Sequence, residues 1–152
     1  MGTSHAHSAA RDAAVAEDTP KRQESLKRAA AYLEEMDSQS LPDARFHFCD
    51  TRFHYEISSL SNNLALETVI DSLHLATVSY VEEAVPYLED WVQTKRTLQE
   101  QHRQLFEAVY QRDADRAQEL VAQHITWFYS LSDAAQQDRE YQQKLRAEAR
   151  QD

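Results

Sequence analysis

Apolar residues in this 152-residue chain recur three and four positions apart, not in alternation. That period gathers them on one face of an α-helix. The first clear stretch opens at Thr19-Pro20, a threonine N-cap before a proline at the first helical position. Its stripe is Leu26, Ala29, Ala30, Leu33 and Met36, and Ser38 to Leu41 form a loop. Pro42 opens a second helix with Phe46, Cys49, Phe53, Ile57 and Leu60 on its core face. Ser61-Asn62-Asn63 ends it and supplies a cap for a third helix, from about Leu64 to Glu83, lined by Leu66, Val69, Ile70, Leu73, Thr77 and Tyr80. Pro86 breaks that helix, and residues 84–93 read as a loop or short turn with Trp91 packed inward. A fourth helix is expected from about Thr94 to Gln111, with Leu98, His102, Leu105, Phe106 and Val109 inside. Asp113 caps a fifth, whose stripe is Ala117, Leu120, Val121, His124, Phe128 and Leu131. From Ser132 onward the chain is polar except for Tyr141 and Leu145, which suits a protruding or frayed helix.

The pattern predicts an all-α fold, an antiparallel bundle of about five to seven helices. Residues 1–17 read as a disordered lead or a truncated first helix, 18–135 as the bundle, and 136–152 as a polar C-terminal helix or tail. Composition narrows the function. Gly2 is the single glycine, so Gly-rich phosphate loops are excluded and tight-turned sandwiches and barrels are disfavoured. A net charge of −10 makes the chain a poor nucleic-acid binder by itself, since phosphate affinity needs clustered Lys and Arg. The lone Cys49 excludes an internal disulfide and fits a reducing compartment. With no long apolar run and no signal-peptide core, the expectation is a cytoplasmic protein without a membrane span.

Four residues carry the chemistry. Asp50 and His54 stand four apart in Asp50-Thr51-Arg52-Phe53-His54, on one face of the second helix at the edge of its apolar stripe. His102 and His124 both occupy core positions, on helices that flank the break at Arg112-Asp113. A hairpin folded at that break holds the two histidines level. One carboxylate and three imidazoles on facing helices make a divalent-metal site, and burying so many ionisable groups without a ligand is costly. Imidazole suits zinc, nickel, copper or iron. Four protein ligands either close a tetrahedral structural zinc site or leave two positions of an octahedral metal for water or a small acid. His47 precedes Asp50 by three and reads as a surface residue or a support to the ligands; His5, His7 and His74 carry no assigned role.

These residues also carry a resemblance. Asp50-Thr51-Arg52-Phe53-His54, then Ile57, Ser61 and Asn63, resembles the motif of the C-terminal effector-binding (FCD) domain of FadR-subfamily GntR transcription regulators. So does the run from Gln101-His102-Arg103 through Ala108-Val109, then Asp113, Ala117 and His124, with Arg112 in place of the usual turn glycine. The resemblance covers about residues 20–131. It implies a FadR-like helical bundle holding zinc or nickel through Asp50, His54, His102 and His124. It also implies a small carboxylate effector at or beside the metal, a homodimer, and DNA contact only through an N-terminal winged helix-turn-helix domain not seen in these residues. Asn63, with helix capping as its ordinary role, is the candidate effector contact; Tyr80, Phe106 and Trp127 offer pocket walls, with core packing as their ordinary role.

Two rival readings share the ligand set. A metalloenzyme would use open metal positions to activate water, but it needs a general base. Glu56, two positions past His54, faces elsewhere on its helix, so the expectation is not an enzyme. A structural zinc bundle used for protein contact is the other rival.

Overall fold

Helix starts follow the side chains that satisfy the first free backbone amides. A computed structural model describes residues 10–60 and 90–149. The expected third helix, with Asn63, His74, Tyr80 and Pro86, lies outside the described residues, as do His5 and His7. Residues 10–15 are helical. Helix α1 runs Pro20–Met36, with the Thr19 hydroxyl accepting from the Arg22 amide at 3.1 Å. Helix α2 runs Asp43–Ser59 after Pro42. Helix α3 runs Trp91–Tyr110, its Asp90 carboxylate accepting from the Gln93 amide at 2.8 Å. It therefore starts three residues before the expected Thr94, because Asp90 is a true N-cap and Trp91 packs as a helical residue. Helix α4 runs Ala114–Glu148, capped by Asp113, whose carboxylate accepts from the Arg116 amide at 3.0 Å.

The described elements are all helical, and they pack as an all-α bundle. α1 packs on α2 and on α3, and α3 packs on α4. Cross-contacts give α1 and α2 an antiparallel sense: Arg45 Nη2 donates to Glu35 Oε2 at 2.9 Å near their joint, and Arg28 Nη2 to Glu56 Oε2 at 3.0 Å further along. Leu26, Ala29, Leu33 and Met36 of α1 meet Phe46, Cys49, Phe53, Ile57 and Leu60 of α2 in one core, joined by Leu98, Leu105 and Val109 of α3 and Ala117, Leu120 and Val121 of α4. Past residue 135, every described side chain of α4 is exposed, including Tyr141 and Leu145.

The turn between α3 and α4 sets the register of the two histidine-bearing helices. Arg112 adopts φ 63°, the left-handed conformation that favours glycine. Its amide donates to Val109 O at 3.2 Å and the Asp113 amide to Ala108 O at 2.9 Å. These two bonds form a Schellman closure, which satisfies α3's last carbonyls and reverses the chain within three residues. The buried Arg22 braces the same end, donating from Nη2 to Val109 O at 2.9 Å and from Nη1 to Ala13 O. Arg112 Nη1 adds a bond to Ala16 O at 2.7 Å. The segment over residues 10–16 is thereby held by its carbonyls against the α3–α4 turn.

Candidate metal centre

α2, α3 and α4 deliver the site. On α2, Asp50 and His54 lie one turn apart beside the buried Phe53, so the core that anchors Phe53 also fixes the direction of His54. The Phe53 and His54 ring centroids are 5.3 Å apart. On α3, His102 is fully buried between Leu98 and Leu105, with its ring 5.1 Å from that of Phe53. On α4, His124 is buried one turn past Leu120. The hairpin at Arg112 brings the His102 and His124 rings to 4.9 Å.

Three imidazoles converge. The ligand atoms of His54, His102 and His124 lie within 4.8 Å of one another. The His54 and His102 rings are 4.9 Å apart, and His54 stacks on His124 at 5.2 Å. His54 Nε2 and His102 Nε2 are 3.1 Å apart. Asp50 Oδ1 lies 3.0 Å from His102 Nε2 and 3.5 Å from His54 Nε2. The structure thus brings all four sequence-predicted residues to one place, with Asp50 against two of the three histidines.

The spacing fits a metal. Two donors held about 2.1 Å from one ion lie roughly 3.0 Å apart at right angles and roughly 3.4 Å apart at the tetrahedral angle. Edges of 3.0, 3.1 and 3.5 Å for Asp50, His102 and His54 span that range. The donor set is borderline in softness, the choice of zinc, nickel and their neighbours. It also explains the burial: nitrogen atoms this close, in a site only 13–15% exposed at His54 and Asp50, need either shared protons or a common cation. Cys49 does not belong to this cluster: among the described residues the grouped ligand atoms are those of the three histidines. Its buried thiol is pushed up to about 11, with Glu35 adding to the shift.

Of the other polar residues near these helices, Gln101 bonds a member of the cluster, whereas His47 meets Trp91 and Glu56 meets two arginines. Of the two places expected for His47, at the surface or as a support to the ligands, the surface is excluded: His47 is buried and stacks on Trp91 with centroids 5.5 Å apart, and it is not one of the three grouped histidines. Glu56 is also buried, and its carboxylate accepts from Arg28 at 3.0 Å and from Arg52 at 3.4 Å. Gln101 accepts from His124 Nδ1 through Oε1 at 2.7 Å. Only its place beside His102 in the chain could have drawn attention to it. Asn63 falls outside the described residues, so the effector contact expected of it has no geometry here.

Comparison with known families now bears on this constellation. A family model for the FCD domain matches residues 7–126, a span that contains all four of these residues. The search of curated proteins returned no match. Among the described residues no helix is long and apolar enough to cross a membrane. With a match over most of its length, the chain belongs to the FCD family, the C-terminal effector-binding domain of FadR-type GntR regulators.

Proposed function

We propose that this domain senses a small organic acid through a divalent metal, zinc or nickel, held by Asp50, His54, His102 and His124. The single observation that carries the reading is the convergence of three histidine ligand atoms within 4.8 Å, with Asp50 Oδ1 at 3.0 and 3.5 Å from two of them. Bound there, the ion supplies a Lewis-acidic anchor for a carboxylate. The protein's part is to hold the donors in place. Asp50 gives the site one negative charge, so a loaded site carries one net positive charge and favours anions. The three imidazoles come from three helices, so holding one ion ties α2 to the α3–α4 hairpin and adds to folding free energy. An acid effector that binds one arrangement of those helices better than another shifts their balance by that difference alone. In a dimeric regulator that shift would reach an attached winged-helix domain and alter DNA binding.

The enzyme reading is the weaker one. Glu56, the carboxylate nearest in sequence to His54 on its C-terminal side, is buried and engaged by two arginines. A base so occupied does not reach a metal-bound water. The experiment is a thermal-shift screen of small mono-, di- and tricarboxylates against zinc-loaded and chelator-stripped protein. Saturable stabilisation by a subset of acids, seen only in the loaded form and without turnover, is the expected result. Equal shifts in both forms would remove the metal from the recognition.

A further inference from the structure

We infer that Gln101 is a positioning residue for the metal centre: its side-chain carbonyl fixes which nitrogen of His124 faces the metal. The inference rests on the metal reading above and deepens it. A neutral imidazole has one N–H and one lone pair, and only the lone pair binds a metal. In the structure His124 Nδ1 lies 2.7 Å from Gln101 Oε1. A carbonyl oxygen only accepts, so Nδ1 carries the hydrogen and Nε2 carries the lone pair. His124 is thereby set in the form that offers Nε2 to the cluster it shares with His54 and His102. Ring orientation is set by the same bond, because the His124 ring can turn away only by leaving a partly buried acceptor.

The placement has a structural logic. Gln101 immediately precedes His102 on α3, so one turn of α3 presents a ligand of its own and the support for the ligand on α4. Any change in the α3–α4 register therefore moves both together. The chemistry of the acceptor matters as well. Outer partners of metal-bound histidines are often carboxylates, which raise ligand basicity and add negative charge. An amide orients the ring without that charge, leaving Asp50 as the one formal charge among the described residues that meet at the centre. A loaded centre then keeps its net positive charge for an anionic effector.

The test uses the full chain, with zinc as the probe, and compares Gln101→Leu and Gln101→Glu with the native protein. Zinc affinity is read by competition with a chromophoric chelator. The ring tautomer of His124 is read from imidazole ¹⁵N shifts of the metal-free protein. Loss of the acceptor in Gln101→Leu should weaken zinc binding about 10- to 100-fold, the usual effect of removing an outer partner. The native His124 should show hydrogen on Nδ1, and Gln101→Leu should lose that preference. Gln101→Glu, which keeps an acceptor, should hold zinc affinity at the native value or better, whereas a purely packing role would also leave Gln101→Leu, of similar bulk, near native. Zinc affinity in Gln101→Leu within about threefold of native, with an unchanged tautomer, would overturn the assignment. Should Gln101→Leu fail to fold, native His124 carrying its hydrogen on Nε2 would overturn it equally. Native protein that binds no zinc would instead overturn the metal reading on which this one stands, so the two failures are distinguishable.

Discussion

Replacing Arg22 by methionine tests how the bundle end nearest the α3–α4 turn is held. Arg22 is 3% exposed, and burial together with the nearby Arg112 lowers its pKa, yet a guanidinium remains charged. Its hydrogen bonds go to two backbone carbonyls, Ala13 O and Val109 O, from segments 9 and 87 positions away. Methionine fills much of the same volume but donates nothing. An unsatisfied buried carbonyl costs about 1–3 kcal/mol. Val109 O keeps the Arg112 amide at 3.2 Å, so its share falls at the low end. Removing a buried charge returns part of the loss, because the guanidinium no longer has to be desolvated. The net expectation is a destabilisation of about 2–3 kcal/mol. With an m-value of about 2 kcal/mol/M, that is a drop of roughly 1 M in the urea midpoint. Amide exchange supplies the second readout: residues 10–16 should lose protection in Arg22→Met beyond what the global loss explains, since their carbonyl is what the arginine holds. A midpoint within about 0.2 M of native and unchanged exchange over residues 10–16 would refute the bracing role.

Three further outcomes follow from the same contacts. At the turn, Arg112→Gly relieves a positive φ worth about 1 kcal/mol but loses the bond to Ala16 O, so thermal melting should show it near native, whereas Arg112→Ala loses the bond, keeps the strain and should be less stable by about 0.5–1 kcal/mol. In the α1–α2 interface, Glu56→Gln removes the charge facing Arg28 and Arg52; both arginines are partly exposed and rehydrate, so urea denaturation should register about 1–2 kcal/mol, below the 3–5 kcal/mol typical of breaking a fully buried pair. For Cys49, burial raises the folded thiol pKa from 9.0 to about 11, so the folded state holds the proton more tightly. Its contribution is fully present below pH 9 and is lost as pH rises towards 11; stability measured across that window should fall in the native protein and fall less in Cys49→Ala, and the native thiol should resist alkylation near neutral pH.

Much of the fold is written in apolar spacing. Thr19-Pro20, Pro42 and Asp113 mark three helix starts because their side chains or rings act locally. The core stripes of α1 and α2 are legible for the same reason, and so is the levelling of His102 with His124 across a short turn. The start of α3 is less visible, because polar Thr94 and Lys95 interrupt the stripe between Trp91 and Leu98, Val92 is exposed, and the cap at Asp90 stands close after Pro86. Buried polar residues are the larger gap. Arg22 and Glu56, both buried, and the half-buried Gln101 look like solvated positions until partners from distant segments meet them. Apolar periodicity says which face turns inward, and these residues sit on or beside that face with nothing local to announce their partners. Arg112 is a related case: its left-handed backbone is set by the Schellman closure, which tolerates a non-glycine residue at a modest energetic cost.

The metal content of the purified, tag-free protein tests the central claim most directly. Elemental analysis after incubation with zinc or nickel and removal of free ion should give about one metal per chain, falling to near zero in His102→Ala, whose ring is the fully buried member of the cluster. No bound metal in the native protein, or equal loading of the native protein and the variant, would contradict it.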